Sequence, residues 1–253
     1  LVYRGAENDF SFFDDNGTPL NRADDSTIVR ANAQFDQGAV LLRHVHRVSD
    51  WRLTAVGLGS FQDQGVPGLA VQQSEESNLG QGRAFFGLRA ARSRFLSDAL
   101  DLTLLAGGSL EWQRFQDPLG ELGVGVEDNR DRGWLGIASL QPTVWFGGQV
   151  ALRGLVEWQG EGFTNRSELD GAVFNANRQT LAAGAELEVA LIDDRLRFTG
   201  GARMDGQFES DQSPRALWSP HVGASYALYA QEDLQIEAYA TGSLAERAPA
   251  FFE

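Results

Sequence analysis

The sequence predicts an all-β chain: a transmembrane antiparallel β-barrel, with about eleven strands present as roughly half of a 22-stranded barrel. Three observations carry this expectation. Apolar and polar residues alternate over long stretches. The connections are sorted by length, tight at one end and long and polar at the other. No run of about 18 apolar residues occurs, so a membrane-spanning helix is not expected.

The chain opens in a strand, Leu1-Val2-Tyr3-Arg4. Arg83–Phe95 reads as a strand whose alternation fades after Ala90. The clearest strand is Leu100–Trp112: Leu100, Leu102, Leu104, Ala106, Leu110 and Trp112 share one face and Asp101, Thr103, Ser109 and Glu111 the other, with Leu105 as the exception. Val150–Trp158 repeats the pattern, with Leu152 and Val156 opposing Arg153 and Glu157. Leu181–Leu191 opposes its leucines to Glu186 and Glu188. Leu196–Phe208 sets Phe198, Ala202 and Met204 against Arg197, Arg203 and Asp205. Trp218–Leu228 alternates too, and Pro220, which cannot donate to a ladder, predicts a bulge or rim position. Leu234–Leu244 sets Ile236, Ala238 and Ala240 against Glu237, Tyr239 and Thr241. These strands run to about 11–15 residues, where soluble strands average about 5–6 and a tilted membrane strand needs about 9–11. The excess is expected to project above a membrane.

Tight connections are expected near Val48-Ser49-Asp50, Leu96–Ala99, Gly147-Gly148, Ile192-Asp193-Asp194 and Ala230–Asp233, and long loops at Asp63–Gly82, Gln116–Gly133 and Gly160–Arg178. Aromatic residues sit near strand ends. Trp112, Trp134, Trp158, Phe208 and Trp218 lie towards the long loops, and Trp51, Phe95, Phe146, Phe198 and Tyr226 towards the tight turns. Two interfacial girdles have this arrangement.

The net charge of −14 argues against nucleic acid, whose phosphates need a basic surface. With no Cys there is neither a disulfide nor a thiolate site. An open sheet of about eleven strands would leave two unpaired edges in lipid. The chain is therefore expected to close with the rest of its own protein or with a second copy. Its start inside a strand and its close at Phe251-Phe252-Glu253 read as a segment of a longer protein.

Several stretches carry a family resemblance. Glu7-Asn8-Asp9-Phe10, Asp15-Asn16-Gly17-Thr18-Pro19 and Arg30-Ala31-Asn32 come first, then Gln64-Gly65-Val66-Pro67-Gly68. Ser219–Tyr226, Ala240-Thr241-Gly242-Ser243 and Arg247-Ala248-Pro249 follow, with Ala245-Glu246 where an aromatic-containing pair is usual. Their order resembles the barrel portion of TonB-dependent outer-membrane receptors. The resemblance implies that residues 1–253 are a partial barrel domain, with the plug domain and C-terminal strands outside them. It also implies active import of a scarce nutrient, such as a siderophore, metal chelate or cobalamin, across the outer membrane of a Gram-negative bacterium. The partners implied are outer-membrane lipid and lipopolysaccharide, the small-molecule nutrient, and the TonB complex acting through the absent plug. A passive porin and a surface-binding or adhesin barrel are the alternatives.

Gln64, Gly65, Val66, Pro67 and Gly68 form either a ligand-facing element of an extracellular loop or a plain turn. Glu157, Arg197, Arg203, Asp205 and Glu237, with Arg153, are expected to face the lumen as ion pairs or plug contacts. His44 and His46 share a strand face and could hold a metal, but rim histidines explain them more simply. Asp14-Asp15, Asp24-Asp25 and Glu127-Asp128-Asn129 with Asp131 could hold Ca²⁺ or be solvated acidic loops, the simpler reading. No nucleophile–base spacing stands out, so no catalytic residues, no cofactor and no enzyme are expected.

Overall fold

The structure, a computed structural model, describes residues 1–246 other than 19, 70, 71, 124, 193, 194, 211, 232 and 233. Its strands are β1 (Val2–Ala6), β2 (Ser11–Asp14), β3 (Ser26–Val29), β4 (Phe35–Val48), β5 (Trp51–Gly65), β6 (Gly68–Leu69), β7 (Gln72–Gln73) and β8 (Asn78–Arg92). They continue with β9 (Leu100–Asp117), β10 (Glu127–Phe146), β11 (Val150–Ser167), β12 (Val173–Leu191), β13 (Leu196–Glu209), β14 (Arg215–Gln231) and β15 (Leu234–Ser243). Eleven of them form one antiparallel sheet in the order β1-β4-β5-β8-β9-β10-β11-β12-β13-β14-β15, and β2–β3 and β6–β7 are small separate hairpins. The expected strand number and hairpin succession are met. Among the described residues the sheet ends on β1 and β15.

The register shows why the alternation was legible. Leu104, Leu140, Val156, Ala183, Met204 and Trp218 lie in one cross-strand row. The adjacent row, on the other face, is Leu105, Ser139, Glu157, Ala182, Asp205 and Leu217. Ser139, Ala151, Thr180, Ala182 and Ala190 are buried, and all belong to the charged face. On the apolar face Leu110, Val156, Leu181 and Val222 are 55–63% exposed. Side chains crowd on the inside of a curved sheet, so the charged face is the inner one. An apolar outer face of this size needs an apolar surrounding.

The strand-end aromatics Trp112, Trp134, Trp158, Phe208 and Trp218 all point to the apolar face by register. Their rings cover neighbouring glycines. A Cβ at Gly82 would strike the Trp112 indole, and one at Gly162 the Trp134 indole, so glycine is required at both positions. Towards the opposite ends, Trp51 packs edge-on against Phe95 at 5.8 Å and Arg92 lies 5.7 Å over the Phe95 ring.

Three expectations need correction. The stretches Asp63–Gly82, Gln116–Gly133 and Gly160–Arg178 are loop only in their middles: β5 runs to Gly65, β9 to Asp117 and β11 to Ser167, and β8, β10 and β12 begin at Asn78, Glu127 and Val173, leaving loops 66–77, 118–126 and 168–172. Gly, Asp and Asn there were read as loop formers, but strands of 18–20 residues carry polar residues on both faces towards those ends. The connection around Leu96–Ala99 is longer than a tight turn, spanning residues 93–99. Pro220 makes no bulge; it pairs in register with Ala202, and the irregularity of β14 falls between Ala227 and Tyr229. Its missing N–H falls just past the end of the β14–β15 ladder at His221↔Ser243, where its carbonyl accepts from Leu244 N at 3.1 Å. The expected turn residues Asp193, Asp194, Glu232 and Asp233, with Pro19 and Arg247-Ala248-Pro249, lie outside the described residues.

Candidate functional site

The inner face gathers charge by register. Arg203 Nη2 donates to Glu157 Oε1 at 2.8 Å and Arg203 Nε to Asp205 Oδ1 at 2.8 Å. A second cluster lies towards the tight-turn end. Arg153 Nη1 donates to Glu186 Oε1 at 2.7 Å and Arg153 also pairs with Glu188. Glu188 holds Arg197 at 3.2 Å, and His221 Nε2 lies 2.9 Å from Glu186 Oε2. Arg153, Glu186, Gly201, His221 and Ser243 form one continuous cross-strand row. Beside it, where Gly184 and Gly201 leave the sheet bare, is a hollow of about 490 Å³ lined by Arg153, Glu186, Arg203 and His221. Of the sequence-selected residues, Glu157, Arg203 and Asp205 touch, and Arg197 joins through Glu188. Glu237 sits on the same face, paired with Ala227, but away from both clusters. Glu186, Glu188 and His221 were absent from that selection, although their alternation carries the same signal.

The second assembly is at the long-loop end, and it includes Gln64–Gly68. Asp117 closes β9 and is fully buried. It accepts from Ser77 Oγ at 3.0 Å and from the amides of Glu121 and Leu122, each at 2.8 Å. Glu121 reaches back to accept from Ser74 Oγ at 2.7 Å and from the amides of Glu75 and Glu76 at 2.9 and 3.2 Å. The Ser74 hydroxyl, helped by those two amides, holds the Glu121 carboxyl below its ordinary range. Asn32 Nδ2 donates to Ser77 O at 2.6 Å, and Arg30 donates to Gly68 O. A Cβ at Gly65 would strike the Asn32 backbone, so close approach requires glycine there, and Gly68 has a φ of +67, a conformation that requires glycine. Val66 N donates to Ser77 O, and Pro67 O accepts from Ser74 N. The polar backbone of the 64–68 element is therefore largely spent inside this knot. Asp117 and Glu121 were missed because an acidic residue in a polar stretch gives no sequence sign of burial.

His44 and His46 lie on the apolar face, paired with Ala55 and Leu53, their rings 6.0 Å apart. Asp14 and Asp15 accept the Asn16 and Gly17 amides and so close a turn, while Asp24 accepts from Thr18. Among the described residues no three His, Asp or Glu side chains converge as a metal site.

Among solved structures, the chain is similar to the ferric preacinetobactin receptor BauA from Acinetobacter baumannii, at 11% identity and a TM-score of 0.59 over 84% of this chain and 40% of that one. It is similar to the copper transporter OprC at 16% identity and a TM-score of 0.64, over 89% and 38%. The ferric yersiniabactin uptake receptor FyuA from Yersinia pestis gives 14% and 0.54, over 90% and 40%. The chain thus spans about 40% of the length of these proteins, and at such identities the likeness is one of fold. No protein-family model matches the sequence, and no curated protein does.

Proposed function

We propose that this chain, which has the fold of a TonB-dependent receptor barrel, forms part of the wall of an outer-membrane importer for a scarce nutrient such as a siderophore, another metal chelate or cobalamin. The observation that carries the reading is the shared eleven-stranded sheet: most of this chain matches receptors and transporters of ferric chelates and copper. In this reading β1 and β15 pair with strands beyond residues 1–253, a plug domain fills the lumen, and the loop-side ends of the strands face outward. Glu157, Arg197, Arg203, Asp205 and Glu237 face the lumen and meet the plug. Gln64, Gly65, Val66, Pro67 and Gly68 frame the mouth and fix the height of loop 66–77.

A lumen wide enough for such ligands leaks unless plugged, so inward release needs an energised rearrangement, supplied through TonB. The test is uptake of ferric siderophores, copper and cobalamin by cells with and without the inner-membrane coupling proteins. Coupling-dependent uptake of one of them is expected. Uptake that persists without coupling, together with steady conductance in planar bilayers, would assign the protein to passive porins. Epitope tags at positions 75, 125 and 170 should be reachable in intact cells and one at position 148 should not.

A further inference from the structure

The inner face of the sheet is divided by charge. On β1, β4, β5 and β8 the register puts Arg4, Arg43, Arg47, Arg52, Arg83 and Arg89 on that face, with no carboxylate among them. Asp36 and Asp63, the acidic residues of these strands, lie opposite each other on the outer face. On β11, β12 and β13 the inner face carries Glu157, Glu161, Glu186, Glu188, Asp205 and Glu209. The four arginines there, Arg153, Arg178, Arg197 and Arg203, are all paired with them. Among the described residues Arg83 pairs with Glu111 of β9 at 2.8 Å, but Arg4, Arg43, Arg47, Arg52 and Arg89 are exposed and have no ion pair. Arg47 and Arg52 stand directly opposite each other, a repulsive arrangement that no internal anion relieves. The series runs the height of the wall: Arg83 lies opposite Ser60, Arg43 opposite Val56, Arg89 opposite Thr54, and Arg47 opposite Arg52. Its steps along β5 are therefore roughly 7–14 Å, at about 3.4 Å per residue. A hollow lies at each end. Towards the long loops, one of about 470 Å³ is lined by Arg4, Arg83 and a cross-strand row of amides, Gln37, Gln62 and Gln81, together with the Glu111 that Arg83 holds. Towards the tight turns, one of about 540 Å³ is lined by Arg52, Arg89 and Arg94, and its carboxylate, Asp50, is taken by Arg92.

We propose that this arginine series is the transfer path of an anionic substrate: the cargo is a metal chelate of net negative charge, and it passes along β1, β4, β5 and β8 and not along the acidic wall of β11–β13. The assignment rests on the importer reading above. Guanidinium forks match carboxylate oxygens in two-point contacts, and the amide row adds donors at the mouth. Passage needs sites strong enough to admit an anion and weak enough to release it, and several exposed arginines in short steps meet both demands. Where this protein fixes inner arginines in place, it does so with carboxylates of neighbouring strands, as at Arg153, Arg178 and Arg203. Five arginines without such partners, spread from one hollow to the other, suit a moving anion. The carboxylates of β11–β13 turn the same anion away.

The experiment has two arms, both on the full-length protein in cells. In the first, Thr54→Cys, opposite Arg89, and Thr199→Cys, opposite Glu188, are each reacted with a sulfonate-bearing and a trimethylammonium-bearing thiosulfonate reagent. The ratio of the negative to the positive reagent's rate should be about tenfold higher at position 54 than at 199, and R52Q/R89Q should remove that excess. Equal ratios would overturn the path. A position 54 shielded from both reagents would also overturn it, and would give the arginines to the plug. The second arm compares coupling-dependent uptake of ferric citrate, an anion, with that of a ferric trihydroxamate and cyanocobalamin, both neutral. The wild type should import ferric citrate, R52Q/R89Q should slow that uptake about tenfold, and R52K/R89K should restore most of it. Arg132→Gln, an exposed arginine of the outer face, should leave it unchanged. A tag at position 125 should show equal amounts of every variant at the surface. Import confined to the neutral probes, or ferric citrate uptake indifferent to R52Q/R89Q, would overturn the anionic assignment and leave the importer reading standing. Coupling-dependent uptake of none of the three by the wild type would fail the importer reading, while the thiol rates would still decide whether this wall attracts anions.

Discussion

Leu152 and Val156 on the outer face of β11 are 39% and 59% exposed, with apolar cross-strand neighbours such as Leu187 and Ala183. One residue away along the same backbone, Arg153 is tied to Glu186 and Glu188, and Glu157 to Arg203. The two faces are stabilised from different sources. Around Arg153 and Glu157 the inner face satisfies itself in pairs within the protein. Around Leu152 and Val156 the outer face is apolar and depends on its surroundings, about 25 cal/mol for each Å² of apolar surface withdrawn from water. A substitution should therefore be judged by the solvent of its face, not by its depth in the fold.

The largest test of that contrast is a charge on the wrong face. Leu152→Arg should cost roughly 2–4 kcal/mol in reversible refolding into lipid vesicles if position 152 lies near the bilayer midplane. Glu157→Leu should cost about 1 kcal/mol or less, because Arg203 keeps Asp205 and remains partly exposed. A Glu157 variant harmed more than the Leu152 variant would reverse the assignment of the faces.

Next in size is Asp117→Ala. It removes the buried acceptor of Ser77 Oγ and of the Glu121 and Leu122 amides, leaving donors unpaired at the long-loop end. A cost of about 1–3 kcal/mol is expected. It should appear as faster hydrogen exchange confined to residues 74–77 and 118–122, with the inner-face ion pairs unaffected. Exchange that quickens throughout β9 and β10 would mean that the knot supports the sheet and not only the loops.

A smaller effect should come from the inner face alone. His221 and Arg153 both bind Glu186, so a double-mutant cycle on Arg153→Met and His221→Phe should return a coupling of about 0.5–1 kcal/mol. An additive result would show that Glu186 engages them independently.

How much of this was legible follows the same division. Period-two patterning from Leu100 to Leu244 exposes which residues share a face, because the solvents on the two sides differ, and the register kept those sets intact. Where both faces meet water the signal disappears. The segment Glu127-Asp128-Asn129-Arg130-Asp131-Arg132 reads as an acidic loop but is strand, with Asp128, Arg130 and Arg132 on one side and Glu127, Asn129 and Asp131 on the other. The cross-strand row of Arg114, Arg130 and Arg166 was hidden for that reason, since it exists only once β9, β10 and β11 are in register. Asp117 was hidden by range: the groups it holds are as far as 40 residues away in the chain.

The smallest expected effect is set by pH, and it should distinguish the loops from the sheet. Glu121 is held below its ordinary range chiefly by the Ser74 hydroxyl, and Asp170 chiefly by Ser167 together with the Ala172 amide. A carboxylate whose folded value is depressed contributes stability that is fully present above its unfolded value, about 4. That contribution is lost as the pH falls through the unfolded value towards the depressed folded one. Between neutral pH and about 5 the loops 66–77, 118–126 and 168–172 should therefore stay ordered, and below about 4 they should loosen before the strands do. Glu121→Gln should mimic acid for loops 66–77 and 118–126 at neutral pH, because the amide cannot offer the charge-assisted acceptor that Ser74 and the Glu75 and Glu76 amides use. It should leave loop 168–172 unchanged, since Asp170 governs that turn. The measurement is exchange of the 75 and 76 amides, corrected for intrinsic rate, in the wild type and the variant across pH 3–7. Parallel pH profiles in the two proteins would show that Glu121 does not set the order of these loops.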